Sequence, residues 1–466
     1  MKKSIIIVSI IVLVIVCIGI VLLNIKSENN RNLIINYPVI EDDSVSYKDR
    51  IFDTNYMHLV NIIISDSDWK DLINNPLNKT KYKVDVEIDG IKFNDVSFKT
   101  KGNSSLEKIA NGPKGGLASN RYSFKINFSK YNKEQSYFGL DKLNLNNIYG
   151  DATYLNDFMS YEIFRKVGIN APLDSFVFVK INGKDFGLYL AVEEIEDSFM
   201  ERNNLEGILY KPEQEAGMDN GASLMYKGED ISNYSNIIDN AQNTSTKEDQ
   251  YRLIDSIRKL NNNENLENVV DIDEVIRYFV AHNYVLSYDS YTGGSIHNYY
   301  LLENNGKLSI IPWDYNLAFG KYSMSEDATF IVNFGIDAPL YKAKEEERPL
   351  WYFIVNNEEY LNRYHEIMND LIVNYFESGE YDKQIDKTYN LISYYIENDP
   401  SAFYSFDEVN QAVKTLKEFC SYRTKSIRLQ LDGKLNTNTR YQDNNDKVDA
   451  SNIKMSDLGL IASDEK

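Results

Sequence analysis

Cysteine is nearly absent from this 466-residue chain, which has only Cys17 and Cys420, so neither a disulfide framework nor a cysteine-rich zinc site can form. Histidine is almost as scarce. His58, His282, His297 and His365 show no metal-ligand spacing, which disfavours zinc-hydrolase chemistry. Basic charge is short as well, with 50 Lys and Arg against 70 Asp and Glu and a formal net charge of −20. Such a field repels phosphate backbones, which argues against nucleic acid as a partner, and attracts cationic polypeptides. No internal repeat, no G-x-G-x-x-G loop and no aromatic sugar platform is visible. What is abundant is apolar and aromatic surface, 43% and 13% of residues, far more than a disordered chain carries.

Met1-Lys2-Lys3 precedes an uncharged run from Ser4 to Leu23, about the twenty residues needed to cross a bilayer. It is longer than the apolar core of a cleavable signal and no A-x-A-like site follows it, so residues 1–24 read as an uncleaved anchor in preference to a signal. The leading lysines place the N-terminus in the cytoplasm and the body outside. The expectation is a single-pass, membrane-anchored protein. Residues 25–50 read as a linker, 51–432 as one large folded domain, and the Asn-, Asp- and Ser-rich 433–466 as a disordered polar tail.

Val84 to Ile88, Ser123 to Phe128 and Ser175 to Ile181 alternate apolar and polar residues as strands do. Asn182-Gly183 then turns the last of these into Phe186 through Val192, a strong hairpin signal. Asp151 through Val167 has helical spacing and stops at Gly168. Further on, Asp271 through Tyr288, Pro349 through Phe376 and Glu408 through Leu431 carry apolar residues at three- and four-residue intervals. A short hairpin, Asn298 to Leu302 and Lys307 to Ile311, interrupts them. The chain is therefore α+β, strand-rich first and helix-rich second.

Asp314 follows the second hairpin strand directly, and Asp289 lies upstream in S-Y-D-S-Y-T-G-G-S, just after a helix. Helix, loop with Asp, hairpin and second Asp is the order in which protein kinases place a hydroxyl-orienting base and a magnesium ligand about the γ-phosphate. A kinase also needs a cation on the phosphates. Lys125, in S-F-K-I-N-F, followed by Glu162 on the next helix, has the right order. Lys101 is the rival, because K-G-N-S-S can bring backbone amides and hydroxyls to phosphate.

Several longer motifs are more specific: I-I-P-W-D-Y-N-L-A-F-G, the preceding H-N-Y-Y-L-L, and upstream K-T-K-G-N-S-S, G-L-D-K-L-N-L-N-N and I-N-G-K-D-F-G-L-Y-L-A-V-E-E. Together with R-P-L-W at Arg348 to Trp351, and over roughly Tyr56 to Leu431, the chain resembles the CotH (spore coat protein H) kinase family. The resemblance implies a divergent protein-kinase-like two-lobe fold behind the transmembrane helix, with a strand-rich N-lobe and a helix-rich C-lobe. It implies an atypical kinase that uses ATP and Mg²⁺ or another divalent metal on Ser residues of spore-coat proteins, made in sporulation and placed at the coat. Carried to this chain, Asp289 is the catalytic carboxylate and Asp314 the metal ligand. Asn298 is the candidate second ligand, although it lies further beyond Asp289 than its counterpart in ordinary kinases. Glu193 and Glu194 stand where a kinase-like fold places the adenine-side linker. The expected substrate is a basic, Ser-rich coat or envelope protein. The rival reading is a catalytically silent structural or assembly protein of the coat or envelope; a carboxylate-pair glycosidase lacks a sugar site.

Overall fold

A computed structural model describes residues 37–460 apart from 39, 113–118, 215–218 and 323–324. Its N-terminal half realises the alternation as seven strands: β1 (His58–Ile63), β2 (Tyr82–Ile88), β3 (Ile91–Lys101), β4 (Ser123–Asn127), β5 (Lys142–Asn146), β6 (Asp174–Ile181) and β7 (Lys184–Glu193). In β2, Tyr82, Val84, Val86 and Ile88 are buried while Lys83 is exposed, the period-two pattern of a strand covered on one face. Asn182 and Gly183 turn β6 into β7 with φ of 52° and 77°, the positive values a tight two-residue turn requires.

The strand order is β1-β2-β3-β4-β5-β7-β6, and β6 returns to pair in parallel with β1, from His58 opposite Val177 to Ile62 opposite Ile181. The sheet is thus a closed barrel, its interior filled by side chains such as Val60, Val86, Phe98, Phe124 and Leu145. This corrects the expected architecture, because a closed seven-stranded barrel is not the strand-rich lobe of a kinase-like two-lobe fold. Alternation marks which face of a strand is covered but says nothing about its partners. Closure depends on β1 meeting a strand remote from it in sequence.

Three further strands, β8 (Ile208–Tyr210), β9 (Tyr299–Asn304) and β10 (Lys307–Pro312), form a second sheet in the order β10-β9-β8. The helices of eleven residues or more are α1 (Asn156–Lys166), α2 (Lys247–Asn261), α3 (Ile272–Val285), α4 (Glu358–Leu371), α5 (Glu380–Glu397) and α6 (Phe406–Leu431). The stretch expected as one helix from Pro349 breaks at Asn356 and Asn357. Asn357 caps α4 by accepting the N–H groups of Glu359 and Tyr360, which stabilises a new helix start there. All of these elements belong to one of the chain's two compact units, Pro38–Lys466; the other, Met1–Tyr37, lies almost wholly outside the described residues.

The expectation of a single-pass, membrane-anchored protein is corrected as well. Among the described residues no helix is long and apolar enough to cross a membrane, and the run Ser4 to Leu23 on which the expectation stood lies outside them. Even α6, 26 residues long, carries Asp407, Glu408, Lys414, Lys417, Arg423 and Arg428, charges that a bilayer interior opposes. The segment beyond Gly433, expected as a disordered tail, packs as far as Leu460. Ala152 N–H donates to Leu458 O at 3.2 Å, Leu460 N–H donates to Gly150 O at 2.9 Å, and Ala450, Met455 and Leu458 are buried.

Candidate functional site

Strand alternation decides which polar groups leave the barrel. With Phe98, Phe124, Leu143 and Leu145 inside, Lys99 and Lys101 of β3, Lys125 of β4, and Asn144 and Asn146 of β5 stand on the outer face. Register aligns them, since Lys99 lies opposite Lys125 and Lys125 opposite Asn144.

Glu194, one residue past β7, meets this row. Its Oε2 is 2.8 Å from Lys125 Nζ and accepts a hydrogen bond from Asn144 Nδ2 at 2.7 Å. Burial pushes the Glu194 carboxyl up, but the charges of Lys125 and Lys101 and the hydrogen bonds from Lys125 and Asn144 outweigh it and hold it at about 2. Lys101 donates to Asn146 Oδ1 at 2.8 Å and lies 5.5 Å from the centre of the Trp313 ring. Burial drives its ammonium down to about 8 against the upward pull of Glu194 and Asp314.

Asp314 enters from the second sheet, two residues past the end of β10, with φ of 57°. Helix α1 fixes it there. The Asp314 N–H donates to Tyr161 Oη at 3.0 Å and the next N–H, of Tyr315, to Asp157 Oδ1 at 2.7 Å. Asp157 and Tyr161 are four residues apart and so share one face of α1. Burial raises the Asp314 carboxyl and Asp289 raises it further, while Lys101, Lys211 and His297 oppose them. Burial and the charge of Asp314 likewise hold Asp157 well above the usual carboxylate range.

Helix α3 ends at Val285 and is capped by Leu286, whose φ of 52° is left-handed, and Asp289 follows in the loop. His297 Nε2 lies 2.8 Å from Asp289 Oδ1. Asn298 Nδ2 donates to Asp289 Oδ2 at 3.1 Å and to its backbone oxygen at 2.9 Å.

The structure therefore brings Lys101, Lys125, Glu194 and Asp314 to one place, and Asp289 and Asn298 to each other. The pair expected between Lys125 and Glu162 does not form. Glu162 is held on α1 by Arg165 and Lys166, each at 3.5 Å, while Lys125 takes Glu194 instead. Glu193 is turned away from the lysine row and buried, bound by Arg202 at 2.7 Å and by Tyr47 Oη at 2.6 Å. Asp157, Lys211, Trp313 and His297 are the residues that sequence reasoning left out. His297 and Trp313 stood inside the quoted motifs without a role, and Asp157 left a fainter trace, a charge preceding Tyr161 and Phe164 at four- and seven-residue spacing on a buried stripe that is otherwise aromatic. Among the described residues no group of three or more His, Cys, Asp or Glu is arranged to hold a metal unaided.

The barrel face, the hairpin carboxylate and the loop carboxylate all lie in a segment that matches a known family. Residues 98–427 match the family described as CotH kinase protein, and the chain belongs to that family. It is also similar to inner spore coat protein H of Bacillus subtilis (strain 168), with 28% identity over 209 residues, 43% of this chain and 55% of that protein. The chain thus spans about half the length of the curated relative it matches.

Proposed function

We propose that this protein is a protein kinase that transfers phosphate from ATP, with Mg²⁺ or another divalent cation, to Ser residues of spore-coat or envelope proteins. The observation that carries this reading is that Lys101, on the outer face of the barrel, lies 5.5 Å from the ring centre of Trp313, the neighbour of Asp314, while Glu194 is held in the same lysine row by Lys125. A barrel cation and the hairpin carboxylate therefore serve one place. Family membership and the similarity to a coat protein support the same reading.

The donor chemistry fits a divalent ion. Asp314 is raised by burial and by Asp289, and Asp157 by burial and by Asp314, as happens where carboxylates converge without enough cation. An ion shared with phosphates needs only one or two protein carboxylates, so the lack of an all-protein cage is no obstacle. Asp314 would be its main ligand, with the side-chain oxygen of Asn298 beside it. Bound there, the ion would neutralise charge on the ATP phosphates. Lys101 would bind those phosphates, and Lys125 would hold Glu194 on the nucleotide side. Asp289 would orient the acceptor hydroxyl and take its proton late in transfer. Basic, Ser-rich polypeptides are the substrates that suit a −20 chain.

Labelled ATP, Mg²⁺ and a Ser-containing acceptor, with wild type beside Asp314→Ala, test the reading. Transfer by the wild type and none by a folded Asp314→Ala is expected. A wild type that transfers nothing would leave the silent coat-assembly protein as the reading.

A further inference from the structure

Consecutive residues of an extended chain point to opposite sides, yet His297 and Asn298 both reach Asp289. The backbone at Asn298 makes this possible. Its φ of 57° is left-handed, a conformation that Asn tolerates better than most residues, and it folds the two side chains onto one partner just before β9 begins. The result is one contact on each carboxylate oxygen: His297 Nε2 at 2.8 Å from Oδ1 and Asn298 Nδ2 at 3.1 Å from Oδ2.

The arrangement is anchored from outside. Ile296 N–H donates to Gln214 Oε1 and Gln214 N–H to Ile296 O, both at 2.9 Å, fixing the chain immediately before His297. Ser290 Oγ donates to Asn298 O at 3.3 Å, and Asn298 Nδ2 donates back to Asp289 O at 2.9 Å, so loop and strand end hold each other. An ionised carboxylate offers roughly four lone-pair sites. With one taken on each oxygen, the remaining sites have fixed directions, and so has the approach of any hydroxyl that uses them.

We propose that His297 and Asn298 are a pair of positioning residues that lock the Asp289 carboxylate in one orientation, so that an acceptor hydroxyl meets a single geometry. The proposal rests on the kinase reading above. Neither contact with Asp289 transfers a proton or touches the nucleotide, so the His297 half of the clamp, which has no part in holding the ion, acts on turnover and leaves ATP binding alone. A misplacement of about 1 Å in a reacting group can cost ~100-fold in rate, which sets the scale of the effect.

The test compares full-length wild type, His297→Ala and His297→Gln, using labelled ATP, Mg²⁺ and a Ser peptide flanked by Lys and Arg, with a thermal melt of each protein. His297→Ala is expected to fold, since the His297 side chain is 32% exposed, and to lose kcat by ~10–100-fold with KM for ATP unchanged. His297→Gln keeps an N–H donor at similar reach and should recover most of the loss. Full kcat in His297→Ala, equal losses in both variants, or a rise in KM for ATP that accounts for the loss would overturn the clamp. A wild type without transfer would overturn the kinase reading and the clamp together, whereas any wild-type transfer lets the variants judge the clamp alone.

Discussion

Within the candidate site, Lys101 is a cation whose charge depends on pH near neutrality. Burial places its ammonium at about 8, so the cation is present below that pH and lost above it. If it binds the ATP phosphates, ATP affinity measured by calorimetry should weaken between pH 7 and pH 9.5. Lys101→Arg stays charged throughout and should flatten the dependence; the same slope in both proteins would remove Lys101 from the nucleotide site. Asp289 should behave differently. Asp289→Asn leaves Lys101 and Asp314 in place, so ATP should still bind while transfer is lost, because orientation and proton acceptance act mainly in the transition state. An equal collapse of ATP affinity would move Asp289 into the metal shell.

Between elements, a buried cation helps tie the barrel to the helices. Arg121, just before β4, is fully buried and donates through Nε to Asn147 O at 3.0 Å. It also reaches Leu188 O of β7 and the Asp399 carboxylate, which lies between α5 and α6. Asp399 in turn accepts Leu188 N–H at 2.9 Å. Arg121→Met would strand Asp399 as a buried, uncompensated charge, a loss of about 3–5 kcal/mol. Urea denaturation should show it, and Arg121→Met with Asp399→Leu should regain part. A single-variant loss below about 1 kcal/mol would mean the pair is as weak as an exposed one.

At the scale of the whole molecule, the −20 charge should act on encounter with substrate. Attraction of cationic chains extends over about a Debye length, ~8 Å at physiological ionic strength, so Ser peptides rich in Lys and Arg should be preferred over acidic ones at low salt and less so at high salt. A preference for acidic peptides, or a basic preference indifferent to salt, would remove the electrostatic argument and leave the kinase reading standing. Once bound, the peptide must still bring its hydroxyl to Asp289, which net charge does not arrange.

Sequence alone determined the features set by neighbouring residues. The Asn182-Gly183 turn, the helical stripe of Asp271 through Tyr288 and the order of Asp289, the hairpin and Asp314 were legible because φ preference and periodicity act over a few residues. Only the tertiary structure decided the rest. Whether the strands closed depended on β6 finding β1, a pairing that alternation does not encode. Lys125 took Glu194 rather than Glu162 because alternation and register put it on the outer face beside β5, whose other neighbour β7 leads into Glu194, while α1 turned Glu162 toward its own Arg165 and Lys166. Glu193 and Glu194 are adjacent and chemically alike, yet one meets Arg202 and the other the lysine row. Their side chains leave the end of β7 in different directions, and what each one meets is a matter of packing between residues far apart in the chain.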